Sequence, residues 1–148
     1  MEIKFTIDAT PVGKGRPRVT MHGTYTPKKT QEYERYVESC FIRSGAFPAP
    51  PDKPLFCVVC GQFPVPKSYT KKLRRELPGE YYTKKPDADN ILKAILDALN
   101  EVAYADDAQI ATVFCTKKYT GTGIGCALVM LTDDVQVFVS AVIKAAGQ

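Results

Sequence analysis

The stretch KPDADNILKAILDALN (85–100), continued by EVAYADDAQIATVFCTKKY (101–119), decides the fold. Pro86 keeps Lys85 out of helical geometry and fixes a helix entry. Over residues 88–101, Ile91, Ile95, Ala98, Leu99 and Val102 share one face, with Leu92 at its edge. A short loop carrying Asp106 and Asp107 follows. QIATVFCTKKY (109–119) then reads as a long strand. A helix feeding a strand through a short loop predicts an α/β (α+β) protein, and 148 residues suit a single compact domain.

Working outward, Ile3, Phe5 and Ile7 alternate with polar residues as a strand does, ending near Asp8. PVGKGRPRVTMHGTY (11–25) is a loop or irregular hairpin. Thr26-Pro27 reads as an N-cap and first helical proline, opening a helix over 27–44 that Gly45 ends. LFCVVCGQF (55–63) is a mostly buried strand. Ser68 caps a short basic helix, YTKKLRREL (69–77), which Pro78-Gly79 stops. TGTGIG is a turn, and CALVMLT (126–132) is expected to be the antiparallel hairpin partner of 109–119. The tail alternates at Val135, Val137 and Val139. It also repeats helically at Val135, Phe138, Val139, Val142 and Ile143, and Asp133 or Asp134 as a cap favours helix.

The net charge of +4 hides an asymmetry. Residues 1–86 hold 16 basic and 8 acidic side chains; residues 87–148 hold 4 and 8. Such a division suggests nucleic-acid contact by the first part. A hydrophobic share of 45% argues against disorder, and no apolar run is long enough for a membrane span. Five cysteines, an odd number, and a start without an apolar leader point to reduced thiols in a cytoplasm. Cys57 and Cys60 have no second pair and fall on opposite faces of a strand, so they read as core thiols rather than a zinc site.

Within 85–110 the carboxylates are dense. One helix cap explains one of Asp87 and Asp89, and the helix dipole tolerates the other. Asp89, Lys93 and Asp97 lie i, i+4, i+8 along the polar face, and Asn90 stands beside Asp89. If helix and strand pack together, the loop brings Asp106 and Asp107 near the helix start. Carboxylates gathered there repel one another unless a cation joins them. Oxygen ligands of this kind suit Mg²⁺, and metal-activated water hydrolyses phosphodiesters. Lys93 is placed to neutralise transition-state charge; its structural alternative is a surface ion pair with Asp89 and Asp97.

KPDADNILKAILDALN with AYADDAQI resembles the RusA family of Holliday-junction resolvases, whose hallmark is a KPD-x-DN-xx-K-xxx-DALN-like helix followed by DD-x-Q-[IV]. KGRPRVTMHGTYTPKKTQEYE (14–34) resembles that family's K-x-RPR and TPKKT-xx-YE stretches, and TKKY (116–119) its K-x-Y strand end. The similarity covers about residues 5–119. It implies a mixed sheet with helices packed on it, and a homodimer that cuts four-way DNA junctions symmetrically with Mg²⁺ or Mn²⁺. It assigns metal binding and catalysis to Asp87, Asp89 and Asp107, with the adjacent Asp106 as a further metal ligand or a support, and makes Lys93 the catalytic lysine. Asp97 matches a supporting position.

Lys14, Arg16, Arg18, Lys28 and Lys29 then become phosphate contacts, as do Lys71, Lys72, Arg74, Arg75, Lys84 and Lys85. Tyr81 and Tyr82 are either base-stacking residues or loop anchors. The expected protein is bacterial or prophage-borne, cytoplasmic and nucleoid-associated, without a membrane partner. The alternatives are a catalytically inactive junction-binding module and a small-molecule phosphohydrolase.

Overall fold

The computed structural model describes residues 1–147. In chain order its elements are β1 (Glu2–Ile7), β2 (Arg18–Thr20), β3 (Gly23–Tyr25), α1 (Lys28–Arg43), β4 (Leu55–Pro64), α2 (Lys71–Glu76), α3 (Ala88–Leu99), β5 (Ile110–Thr120), β6 (Cys126–Thr132) and α4 (Val135–Gly147). A 3₁₀ turn, Asp107–Gln109, precedes β5.

One mixed sheet has the order β1-β6-β4-β5. β1 and β4 each pair antiparallel with β6, whereas β4 and β5 run parallel. The class is α+β. β4 is apolar on both sides because both its faces are covered. Cys57 and Val59 join a core with Ile3, Phe5 and Ile7 of β1, Tyr33, Val37 and Phe41 of α1, and Ile91, Ile95 and Leu99 of α3. Val58 turns the other way, against Met130 and Phe138, the one buried residue of α4. Each large apolar side chain so buried contributes about 2 kcal/mol. The two cysteines do face opposite ways: Cys57 is buried, its thiol pushed up to about 12 by desolvation, and Cys60 lies half-buried on the α4 side.

Several expectations need correction. β6 is not the hairpin partner of β5, because β4 lies between them. Two strand spacings amount to about 10 Å, which the turn after Thr120 spans, with Gly123 at φ 78°. α1 begins at Lys28 with Pro27 in the cap position and no side-chain cap, so Thr26 does not play that part. α2 is capped by Thr70, whose hydroxyl accepts from the Leu73 amide, rather than by Ser68. The tail is a helix, capped by Asp134, whose carboxylate accepts from the amides of Gln136 and Val137. Its expected apolar stripe divides: Phe138 and Val142 face the sheet, while Val135, Val139 and Ile143 are exposed.

Candidate active site and nucleic-acid interface

α3 carries the acidic start. Asp87 holds the N-cap backbone position, yet its side chain makes no cap hydrogen bond. Both its oxygens accept from Lys85 Nζ at 2.7 Å. Lys85 holds the Asp87 carboxyl below its ordinary range, aided by the nearby charge of Lys117. Helix capping therefore does not account for this aspartate. Asp89, in the first turn, is exposed, and among the described residues its carboxylate has no hydrogen-bond or ion-pair partner.

Lys93 is also exposed, 3.8 Å from Asp97. Asp97 in turn receives Lys14 at 3.1 Å, and Lys14 bonds Glu34 of α1 as well. Burial works against a charged Lys14, but the hydrogen bonds to Glu34 and Asp97 outweigh it and its pKa is raised. Lys14 thus ties the glycine-rich loop to two helices, and it also lines the groove between that loop and the start of α3. The loop is pressed close: the Lys14 amide donates to Asn90 O at 2.9 Å, and a Cβ on Gly13 would stand 2.8 Å from Pro86 Cβ.

A groove of about 780 Å³ runs between this loop and the helix start, and Arg16, Arg18, Lys29, Lys85, Asp87 and Asn90 help line it. Lys28 stands exposed beside it at the start of α1. β2 and β3 form a projecting hairpin with Val19 and Met21 exposed. A second, smaller hollow of about 400 Å³ gathers Lys71, Arg74 and Arg75 of α2 against Gly121 and Gly123. Lys72 is exposed on the same short helix. The Lys84 ammonium is held by the Tyr69 hydroxyl.

The two tyrosines are anchors. Tyr82 stacks on Phe63 at 4.0 Å and donates to Lys85 O, and Tyr81 donates to Ala146 O. Lys117 was not singled out in the sequence, yet its ammonium donates to Lys84 O and Pro86 O at 2.8 and 2.9 Å. It braces the turn that presents Asp87. The signal was available, since Cys115, Lys117 and Tyr119 alternate onto one face.

Asp106 and Asp107 lie elsewhere. The Asp107 amide donates to Asn100 Oδ1 at 2.9 Å, which fastens it to the far end of α3. α3 has 12 residues, so its ends are about 18 Å apart. β5 runs back beside it, and Lys117, which touches Pro86, is seven residues beyond Ile110, about 23 Å. The loop therefore does not bring the aspartate pair to the helix start. Among the described residues no group of three acidic, histidine or cysteine side chains could hold a metal ion. Asp106 is occupied as a cap: it accepts from the Ala108 amide, and Gln109 reciprocates by accepting from the amides of Ala105 and Asp106. The Asp107 carboxylate makes no such bond among the described residues.

Asp87 and Asp89 by themselves suit a hydrated Mg²⁺, which is commonly held by one or two carboxylates, water and phosphate oxygens. Asp107 of the same chain is too distant to join them. No helix among the described residues is long and apolar enough to cross a membrane.

A family model described as Endodeoxyribonuclease RusA matches residues 8–129. The chain is also 32% identical, over 127 residues, to a Bacillus subtilis (strain 168) protein named "Uncharacterized protein YqaN", covering 80% of this chain and 88% of that one. The match spans the basic loop, the acidic helix and the aspartate pair together. On that extent, the chain belongs to the RusA endodeoxyribonuclease family.

Proposed function

We propose that this protein is a divalent-metal-dependent endonuclease that resolves four-way DNA junctions as a homodimer, by paired and symmetric phosphodiester hydrolysis. One observation carries most weight: basic side chains and Asp87 line a single groove, so a phosphate held there lies beside Asp87. Arg16, Arg18, Lys28 and Lys29 hold the backbone without reading sequence. Asp87 and Asp89 would hold a Mg²⁺ or Mn²⁺, which when bound would supply an activated water and charge neutralisation at the leaving oxygen. Lys85 masks Asp87 until the metal site is loaded, and Lys93, one turn beyond Asp89, counters the charge that builds on the attacked phosphate.

Asp107 completes the ligand set from a second copy, because one chain keeps it at the wrong end of α3. A two-fold dimer also matches the approximate symmetry of the junction and its two cuts. The setting that fits this substrate is the bacterial cytoplasm, with the chromosome or a prophage. Junction binding without cutting draws on the same separation of Asp107 from Asp89.

Strand-specific mapping of cuts on a fixed and a mobile synthetic junction, with Mg²⁺, decides between the two. The expected outcome is paired nicks on opposing strands, abolished by Asp89→Asn with binding retained. Tight binding with no nick under Mg²⁺ or Mn²⁺ would make the protein a binding module.

A further inference from the structure

β2 and β3 form a small sheet of their own, apart from the four-stranded one, and all their residues are exposed. A two-stranded hairpin that buries neither face is marginal by itself. This one is nonetheless fixed at both ends. Its feet are seated on α1: the Gly15 amide donates to Thr30 Oγ1 at 3.0 Å, Gln31 Nε2 donates to Thr26 O at 2.7 Å, and a Cβ on Gly15 would stand 2.9 Å from Pro27 Cγ. Its turn is closed by Thr20, whose hydroxyl donates to Gly23 O at 3.1 Å and accepts from the His22 amide at 3.2 Å. Gly23, at φ 119°, lets the chain return.

What this scaffold presents is apolar. Met21 at the tip is 99% exposed and Val19 is 81% exposed. Single apolar residues scattered on a surface need no explanation, but these two stand together on a blade whose every residue faces solvent. The charge around them has one sign: between Asp8 and Glu32 the chain has five lysines and arginines and no acidic residue. Arg18 pairs across the hairpin with Tyr25, so both lie on one face, and Arg18 lines the groove that holds Asp87. Val19 takes the opposite face, and Met21, three residues beyond Arg18, stands about 10 Å further out.

We propose that this hairpin is a wedge, which inserts Met21, with Val19 behind it, between the bases of a DNA whose backbone lies in the groove. A phosphate held by Arg16 and Arg18 leaves the base edges within reach of the tip, because a duplex groove is roughly 7.5–8.5 Å deep. Apolar side chains that enter a base step part it at the cost of its stacking. That cost is least where pairing and stacking are already interrupted, so the wedge favours a branch point over continuous duplex. Residues 19–24 carry no guanidinium, carboxamide or carboxylate, the groups that read base edges, so the tip parts bases rather than reading them. This inference rests on the nuclease reading for its substrate and adds how the branch point is engaged.

The test uses the full chain and 2-aminopurine, whose fluorescence rises when it unstacks, placed at the centre of a synthetic four-way junction or in the middle of one arm. Protein is titrated with EDTA present, so that nothing is cut. Wild type is expected to raise the signal at the centre and leave the arm unchanged. The double variant Val19→Thr, Met21→Ser alters only exposed side chains; it is expected to keep the circular dichroism spectrum and the gel shift but to lose the rise. Arg18→Ala is expected to lower the slope of affinity against salt by about 1 and still to reach the wild-type signal at saturation.

A double variant that matches wild type overturns the wedge, and so does a wild-type signal that rises in the arm as much as at the centre. A wild type that cuts junctions with Mg²⁺ yet raises no signal keeps the nuclease reading and loses the wedge. A rise at the centre with no cut once Mg²⁺ replaces EDTA does the reverse.

Discussion

Replacing Gly13 by alanine is a one-carbon probe of how the basic loop is seated. The added Cβ would meet Pro86 Cβ at 2.8 Å and Asn90 Cβ at 3.2 Å. Neither atom belongs to the swinging end of a side chain; one is part of a ring and the other is fixed to the helix backbone. Overpacking of this kind costs about 1–3 kcal/mol. Alanine gives back about 0.5 kcal/mol by restricting the unfolded chain. If the loop instead lifts to relieve the clash, the 2.9 Å bond from the Lys14 amide to Asn90 O is lost, about 1 kcal/mol. Either way the variant is destabilised by about 0.5–2.5 kcal/mol, which lowers the melting temperature by roughly 2–8 °C in a chain of this size. Gly147→Ala makes the same chemical change where nothing lies within 4 Å, and is expected to stay within about 0.5 kcal/mol of wild type. Thermal and urea unfolding of the three proteins, followed by circular dichroism, makes the comparison. A Gly13→Ala protein that melts with the wild type would refute the close seating of the loop on α3.

Lys85→Met is expected to raise the Asp87 carboxyl towards its ordinary range, followed by carboxyl carbon NMR during acid titration. Because the folded pKa is depressed, the Lys85 contact stabilises the protein above the ordinary aspartate range and is lost as pH falls through the lowered value; an unmoved titration would remove Lys85 from the site. Tyr104→Phe removes the 2.6 Å bond to Leu96 O inside α3 and is expected to cost about 1 kcal/mol in urea unfolding, with no loss counting against that bond. The Arg16→Ala, Arg18→Ala double variant is expected to weaken junction binding and to flatten its logarithmic salt dependence by about 2; a slope equal to wild type would take both residues off the phosphates. Lys93→Ala is expected to lower the nicking rate at saturating Mg²⁺ at least about tenfold with binding intact, and near-normal rates would leave it only its contact with Asp97.

The helices were legible because each has a strong local signal. Ile91, Ile95 and Leu99 mark the buried face of α3, and Asp134 the start of α4. Strand order was not, since pairing is a long-range property. The short turn after Thr120 makes a β5–β6 hairpin the local default, and nothing nearby reveals that β4 enters between them. Near the helix start, spacing put Asp87 at the entry to α3 and Asp89 and Lys93 along it, where the fold has them. It could not place Asp107, because a helix and a strand packed antiparallel carry the following loop away from the helix start. That direction is visible only once Lys117 is seen against Pro86. The ion pairs of Lys14 were hidden for a related reason: its partners Glu34 and Asp97 are remote in sequence and meet it only in the fold.

The pairing of β1 with β6 has a consequence for how the protein is made. Glu2 faces Thr132, and the terminal ammonium of Met1 rests on Asp133 at 2.8 Å. Glu2 therefore waits for the last strand before it has a neighbour, and β6 itself must enter between β1 and β4, both synthesised long before. No portion of the sheet except the parallel β4–β5 pair can close while the ribosome is still upstream of residue 126. Folding is then dominated by non-local contacts and is expected to be slow and post-translational.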